Sequence, residues 1–140
     1  MSARVPAATR IQATRATSNQ GPCSVCPLSV EGWTEQTAAD ATDVGLAVAR
    51  GGAGAVLYTD IGRDGMRSGP NLEATARLAR ALAPCPVIAS GGVSQLEDLD
   101  ALVPTGATAV VVGKALYERV FTVEQALDRV RTAGGLSANR

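Results

Sequence analysis

The sequence predicts an α/β fold made of βα repeats around a parallel sheet, and three observations support this. Helix-like and strand-like segments alternate from Thr37 onward. The strand-like segments are short, rich in β-branched residues and apolar throughout, a pattern typical of strands buried on both faces. Glycine with a polar neighbour follows two of these strands. Because helical crossovers make successive strands parallel, we expect right-handed βα units with a ligand-binding edge at the carboxyl ends of the strands.

Local signals determine where each element begins and ends. Helices are predicted over 37–50, 72–82, 96–102, 114–118 and 123–131, and strands over 55–60, 86–90 and 108–112. A Gly-Gly pair closes the first helix, and Asn71 can cap the second. Ser94 is predicted to cap the third helix in a capping box with Glu97, and Thr122 is predicted to cap the last helix.

The composition excludes several functional classes. The chain has 140 residues, about one domain and well short of the ~250 residues of a complete eight-stranded α/β barrel. Lys and Arg total 13, as do Asp and Glu, so no basic field attracts nucleic acid. Histidine is absent, which excludes histidine general bases, the usual serine triad and most catalytic zinc sites. Carboxylates must carry any acid–base chemistry, and no metal is expected.

Cysteine usage and hydropathy indicate a cytoplasmic protein. Cys23 and Cys26 form a lone C-x-x-C, and Cys85 is the only other cysteine, so cysteines cannot supply four zinc ligands. We interpret all three as free thiols in a reducing cytosol. No apolar run approaches the ~20 residues that span a bilayer, and the first residues lack a signal-peptide core, so no membrane partner is expected.

Residues 1–28 differ from the rest of the chain. They are rich in Ala, Arg, Thr, Ser and Pro, contain no acid and show no sustained periodicity. This predicts a disordered or artefactual extension, because low hydrophobicity leaves little to bury. A targeting segment is the alternative, since the composition also fits a transit peptide. One folded region is expected over 29–133, followed by a disordered tail over 134–140.

Candidate site residues follow the predicted strands. Asp60 ends the first strand and is a candidate catalytic acid or base, although a turn or capping aspartate is the alternative. The other two strands run into "SGGV" and "VGKAL", where glycines let an anion approach backbone N–H groups. These segments predict a phosphate site, and the alternative is that the glycines merely supply turns with positive φ. The candidate phosphate-binding residues are Ser90, Gly91, Gly92, Gly113 and Lys114.

Four segments carry a resemblance to a known family. They read "EGWTEQT", "LYTDIGRDGMRSGPNLEAT", "PVIASGGVSQLEDL" and "VVVGKALYERVFTVEQAL", and together they span about 30–130. In this combination the chain resembles the phosphoribosyl isomerases of histidine biosynthesis, whose fold is a (βα)8 TIM barrel. The segments match the carboxyl-terminal part of that family, from the loop after the fifth strand through strands six to eight. The resemblance therefore implies a partial, half-barrel-like TIM barrel.

The resemblance also implies a reaction and roles for individual residues. The family converts the aminoaldose of a bis-phosphorylated phosphoribosylformimino aminoimidazole carboxamide ribonucleotide into an aminoketose, using an acid and a base and no cofactor or metal. Asp60 would be the strand-six catalytic aspartate. Ser90, Gly91, Gly92, Gly113 and Lys114 would form the second phosphate site. Substrate contacts are implied for Trp33, which can fold over the substrate, and for Arg63, Gly65 and Gly69 of a mobile loop.

The chain also departs from the family pattern. The family has catalytic aspartates on strands one and five, and the second of these should fall near Asn19, where this chain has no acid. We expect a truncated or frame-disrupted isomerase with negligible activity alone, whose open strand edges favour a homodimer or a complementing half-barrel. The related cyclase of the same pathway is one alternative, although it typically has "TS" where this chain has Thr59 and Asp60. A non-enzymatic phosphate-binding module is the other.

Overall fold

The computed structural model describes residues 9–15, 41–60, 63–64, 66 and 68–134. The strands are β1 (Thr9–Arg15), β2 (Ala53–Asp60), β3 (Val87–Ser90) and β4 (Ala109–Val111). The helices are α1 (Ala41–Arg50), α2 (Leu72–Leu82), α3 (Leu96–Leu102), α4 (Lys114–Tyr117) and α5 (Val123–Gly134), with a 3-10 turn at Val103–Thr105. From α1 onward the predicted order of elements is confirmed. The first four residues of the predicted first helix lie outside the described residues.

The sheet has the order β1-β2-β3-β4, and β2, β3 and β4 are parallel. This confirms the predicted α/β class with a parallel three-stranded sheet. Thr59 of β2 pairs with Ser90 of β3, which in turn pairs with Val111 of β4. The carboxyl ends of the three strands are therefore level with one another. Any group that follows one strand lies beside the groups that follow its neighbours.

Strand β1 differs from the sequence-based prediction. It pairs antiparallel with β2, with Thr9 opposite Asp60 and Arg15 opposite Ala53. The sequence "TRIQATR" has no continuous apolar run, so neither this strand nor its pairing with β2 could be predicted from the local sequence. The expected absence of structure in residues 1–28 does not hold for these seven residues. The boundary of the folded region itself stays a prediction.

The helices pack on one face of the sheet over two buried clusters. The first joins β2 and β3 to α1 and α2 through Val56, Tyr58, Leu78, Leu82 and Val87. The second lies beneath β3, α3 and α5 and contains Ala89, Val93, Leu99, Leu102, Ala115 and Phe121. Burial alternates along β2, where Leu57 and Thr59 are only half-buried. The expectation of full burial on both faces was therefore wrong for β2, because the helices cover only one face of it.

The N-terminal helix caps agree with the sequence in two of three cases. Asn71 accepts a hydrogen bond from the Ala74 N–H at 3.1 Å, and Thr122 accepts one from the Gln125 N–H at 3.2 Å. The capping box predicted from Ser94 and Glu97 is wrong by one residue. Asp98 instead accepts hydrogen bonds from the Ser94 N–H at 2.7 Å and the Ser94 hydroxyl at 2.9 Å. Helix α3 therefore begins one residue later than that box requires.

An ion-pair network ties α3 to α5. The Arg129 guanidinium donates to both oxygens of Asp100 at 3.0 and 2.9 Å and lies 3.8 Å from the Glu97 carboxylate. The hydrogen bond from Arg129 holds the pKa of Asp100 below its ordinary value and raises that of Arg129. None of the helices in the described ranges is long and apolar enough to cross a membrane.

Candidate functional site

An open cleft of about 210 Å³ lies at the carboxyl ends of β3 and β4. Its lining includes all five residues that the sequence predicts for a phosphate site: Ser90, Gly91, Gly92, Gly113 and Lys114. They meet there because the parallel strands end level, so the loops after β3 and β4 share one edge. Binding of phosphate to them stays a prediction.

Gly91 and Gly92 are required by the local geometry. Their φ angles are +92° and +87°, in the region that side-chain-bearing residues avoid. A Cβ on Gly91 would lie 2.8 Å from the Asp60 carbonyl oxygen, and one on Gly92 would overlap the backbone of Gly69 and lie 3.1 Å from the Pro70 Cα. The turn interpretation therefore holds for both glycines. Both also line the cleft, so the two interpretations are compatible.

Gly113 is different, because its φ is negative and a side chain there would not collide with other atoms. Its φ is −116°, and a Cβ built on it would meet no atom within 4 Å. The missing side chain leaves open space at the cleft. Of the described glycines that line the cleft, Gly113 alone has a negative φ.

Asp60 is buried beside the cleft and does not line it. Its exposed fraction is 1 %, and its Oδ2 atom accepts a hydrogen bond from Asn71 Nδ2 at 2.7 Å. The Arg63 Nε atom lies 3.9 Å from the same oxygen. The other carboxylate oxygen, Oδ1, is buried without a hydrogen-bond partner among the described residues. Leaving such an acceptor unsatisfied costs about 1–3 kcal/mol, so Oδ1 is available to a donor that enters the site.

Arg63 organises the loop that follows β2. Its Nη1 atom donates to the carbonyl oxygens of Ser68 and Gly69 at 3.3 Å and of Pro70 at 3.4 Å. Arg63 and Gly69, both predicted to contact substrate, are thus in contact with each other. The mobility predicted for this loop stays a prediction. Trp33 and Gly65, the other two predicted substrate contacts, lie outside the described residues.

Sequence reasoning missed three polar residues that line the cleft: Asp64, Ser94 and Glu118. Asp64 is exposed, and its N–H donates to the Asp60 carbonyl oxygen at 2.9 Å, which turns the chain so that the Asp64 side chain faces the cleft. Glu118 lies one helical turn after Lys114, and its Oε1 atom is 3.9 Å from Lys114 Nζ. The four-residue spacing of Lys114 and Glu118 was a signal that could have identified this pair.

The described residues contain no group of three or more histidine, cysteine or acidic side chains that could hold a metal ion. The polar groups that the described residues bring to the cleft are hydroxyls, backbone groups around glycines, one ammonium and two carboxylates. This arrangement suits an oxyanion such as phosphate that binds through N–H, O–H and ammonium donors.

The parallel sheet and the glycine-lined cleft at its strand ends define a βα-repeat protein. Residues 11–122 match the family model described as histidine biosynthesis protein, and the chain belongs to this family.

Three bacterial relatives carry the name 1-(5-phosphoribosyl)-5-((5-phosphoribosylamino)methylideneamino) imidazole-4-carboxamide isomerase. The protein of Syntrophus aciditrophicus is 44% identical over 109 residues, which are 76% of this chain and 45% of the relative. That of Bacillus licheniformis is 49% identical over 106 residues, 74% of this chain and 43% of the relative. That of Bacillus subtilis is 45% identical over 107 residues, again 74% and 43%. The chain thus spans less than half the length of these relatives.

Proposed function

We propose that this chain is the carboxyl-terminal part of a phosphoribosyl isomerase barrel, with β2, β3 and β4 as strands six, seven and eight. Three parallel strands in consecutive order, each followed by a helix, support the assignment. Membership of the histidine biosynthesis family and the isomerase names of the relatives support it further. The reaction is an Amadori rearrangement of an aminoaldose to an aminoketose.

The cleft is the observation that carries this proposal. Ser90, Gly91, Gly92, Gly113 and Lys114 come from two strand ends and surround one space. In that space the serine hydroxyl, the lysine ammonium and the backbone N–H groups near the glycines bind one phosphate of a bis-phosphorylated substrate. The anchored phosphate leaves the rest of the substrate to extend along the sheet edge towards the end of β2.

Two carboxylates at the end of β2 are the candidates for proton transfer. Asp60 was chosen from the sequence, and its buried Oδ1 lacks a donor among the described residues. Asp64 lines the cleft and is exposed. A group that exchanges protons with substrate must come within hydrogen-bond distance of it. Asp64 is exposed at the cleft, whereas Asp60 is 1% exposed and does not line it. We therefore assign Asp64 to the cleft and Asp60 to a role that requires it to become accessible.

The chain alone has negligible turnover under this proposal, because its family uses further aspartates on strands one and five. Strand β1 lies beside β2, on the side where strand five would be, but it runs antiparallel and its sequence contains no acid. No cofactor or metal is required, since a carboxylate acid and a carboxylate base suffice for the rearrangement.

The open edge of the sheet at β4 supports a protein partner. Val111 of β4 is 48% exposed, and Val123 and Leu127 on α5 are 52% and 50% exposed. Among the described residues no strand pairs with the far edge of β4, and an unpaired strand edge pairs readily with another chain. The partner is a second copy of this chain or a fragment that supplies the complementary half of the barrel.

Two measurements on the purified chain test the proposal. Addition of inorganic phosphate is expected to shift the backbone amide NMR signals of Gly91, Gly92 and Gly113, and Lys114→Gln is expected to weaken binding several-fold. Turnover of the aminoaldose substrate is expected to be negligible. Absence of phosphate-dependent shifts would refute the phosphate site. Turnover at the rate of a full-length relative would refute the impaired activity.

A non-catalytic phosphate-binding module is the second candidate, and one observation favours it. The cleft is fully built from described residues, whereas Asp60 is buried and held by Asn71. Phosphate binding without substrate conversion, even after a complementing half is added, would support the module over the isomerase. No observation in the described part of the chain favours the related cyclase.

A further inference from the structure

The charges of the cleft oppose the ligand assigned to it. Among the residues that the structure describes, its charged side chains are Asp64, Lys114 and Glu118, so two carboxylates face one ammonium. A phosphate dianion that enters such a cleft is repelled by both acids and attracted by a lysine that already has a carboxylate beside it. The arrangement needs a reason, because a simple phosphate site would contain the lysine and no glutamate.

The geometry indicates what Glu118 does. It follows Lys114 by one helical turn, and the atoms Lys114 Nζ and Glu118 Oε1 are 3.9 Å apart. Both side chains are partly exposed, at 49% and 35%, so the pair is held loosely and can exchange partners at low cost.

We infer that Glu118 competes with phosphate for Lys114: its carboxylate pairs with the lysine ammonium and is displaced from it when phosphate binds. This inference rests on the proposed phosphate site and adds a competitor to it. The exchange replaces a carboxylate–ammonium pair with a phosphate–ammonium pair. Phosphate affinity is therefore set by the difference between the two pairs. Weakly bound monoanions gain too little from the lysine to displace the glutamate.

Phosphate titration of Glu118→Gln by NMR tests the inference. The amide removes the charge while keeping the shape, and we expect the dissociation constant for inorganic phosphate to fall about three- to tenfold, as for removal of one exposed ion pair and one like charge. Glu73→Gln is the matched control, because it makes the same change at an exposed position that does not line the cleft. It should leave the dissociation constant unchanged.

A double-mutant cycle separates competition for Lys114 from general charge repulsion. In a Lys114→Gln background, Glu118→Gln should tighten binding by less than twofold, because no ammonium remains to be released. Tightening of the same size in both backgrounds, or no tightening in either, would overturn the inference. If the wild-type chain binds no phosphate at all, the proposed phosphate site fails first. If Glu118→Gln does not fold, Glu118→Asp replaces it; its shorter side chain should tighten binding by an intermediate factor.

Discussion

Replacement of Gly92 by alanine should damage both the fold and the cleft, and the structure gives the size of the effect. A residue with a Cβ at φ +87° loses about 1–2 kcal/mol relative to glycine. The new methyl group would also overlap the Gly69 backbone and lie 3.1 Å from the Pro70 Cα, and neither can rotate away. Overpacking of this kind adds about 1–3 kcal/mol. Gly92→Ala should therefore lower the free energy of unfolding by about 2–5 kcal/mol.

Gly52→Ala is the matched control, because Gly52 has φ +90° and its Cβ would meet nothing within 4 Å. It carries the backbone strain without the collision and should cost only about 1–2 kcal/mol. Urea unfolding followed by circular dichroism measures both variants, and phosphate titration measures the cleft. Gly92→Ala should also shift or abolish phosphate binding, whereas Gly52→Ala should not. Equal destabilisation by the two variants would refute the reasoning, because it would show that the loop yields freely.

Three further predictions concern other parts of the chain. Asn71→Ala removes a helix cap and the donor to Asp60 and should lower the free energy of unfolding by about 2–4 kcal/mol in urea, whereas Asn71→Ser should recover the part due to the cap. Because Arg129 lowers the pKa of Asp100 in the folded chain, this carboxylate stabilises the fold above its unfolded pKa of about 3.9, and the contribution is lost as the pH falls through the lower folded value. Asp100→Asn should therefore destabilise the chain at neutral pH and match wild type in acid, as measured by thermal unfolding at each pH; a constant difference would contradict this. Leu127→Lys should weaken self-association in sedimentation velocity without changing the circular dichroism spectrum, and unchanged association would place the contact elsewhere.

Capping residues, glycines and prolines in the sequence were sufficient to predict the bounds of the elements that begin or end at them. Helix α2 runs from Leu72 to Leu82 as predicted, because Asn71 caps its start and Pro84 and Pro86 follow its end. Helix α3 shows the limit of such signals. Ser94 is followed by Glu97 three residues later and by Asp98 four residues later, and it is Asp98 that accepts its hydrogen bonds. Strand β1 had no local signal at all, since an antiparallel partner for β2 is a property of the sheet edge and not of the sequence "TRIQATR".

One part of the candidate site could also be predicted from local sequence signals, and another part could not. Glycine after an apolar strand is a local pattern, and the level ends of parallel strands bring such patterns together, so the cleft could be predicted from the sequence. Which acid faces it could not. Asp60 is the residue that ends the strand, but the turn closed by its carbonyl oxygen directs Asp64 to the cleft instead. The direction of a side chain after a strand depends on that turn, which no periodicity encodes.

The amide of Asn71 is used at both ends, since its oxygen caps α2 and its nitrogen binds Asp60. A substitution at position 71 therefore affects two structural features at once. Serine would keep the cap but lose the donor, and aspartate would keep the cap and set a negative charge against a buried carboxylate. The helix cap needs the amide oxygen, and the fixed carboxylate needs the amide nitrogen. Asparagine therefore serves the fold through both atoms of its amide, whether or not Asp60 takes part in a reaction.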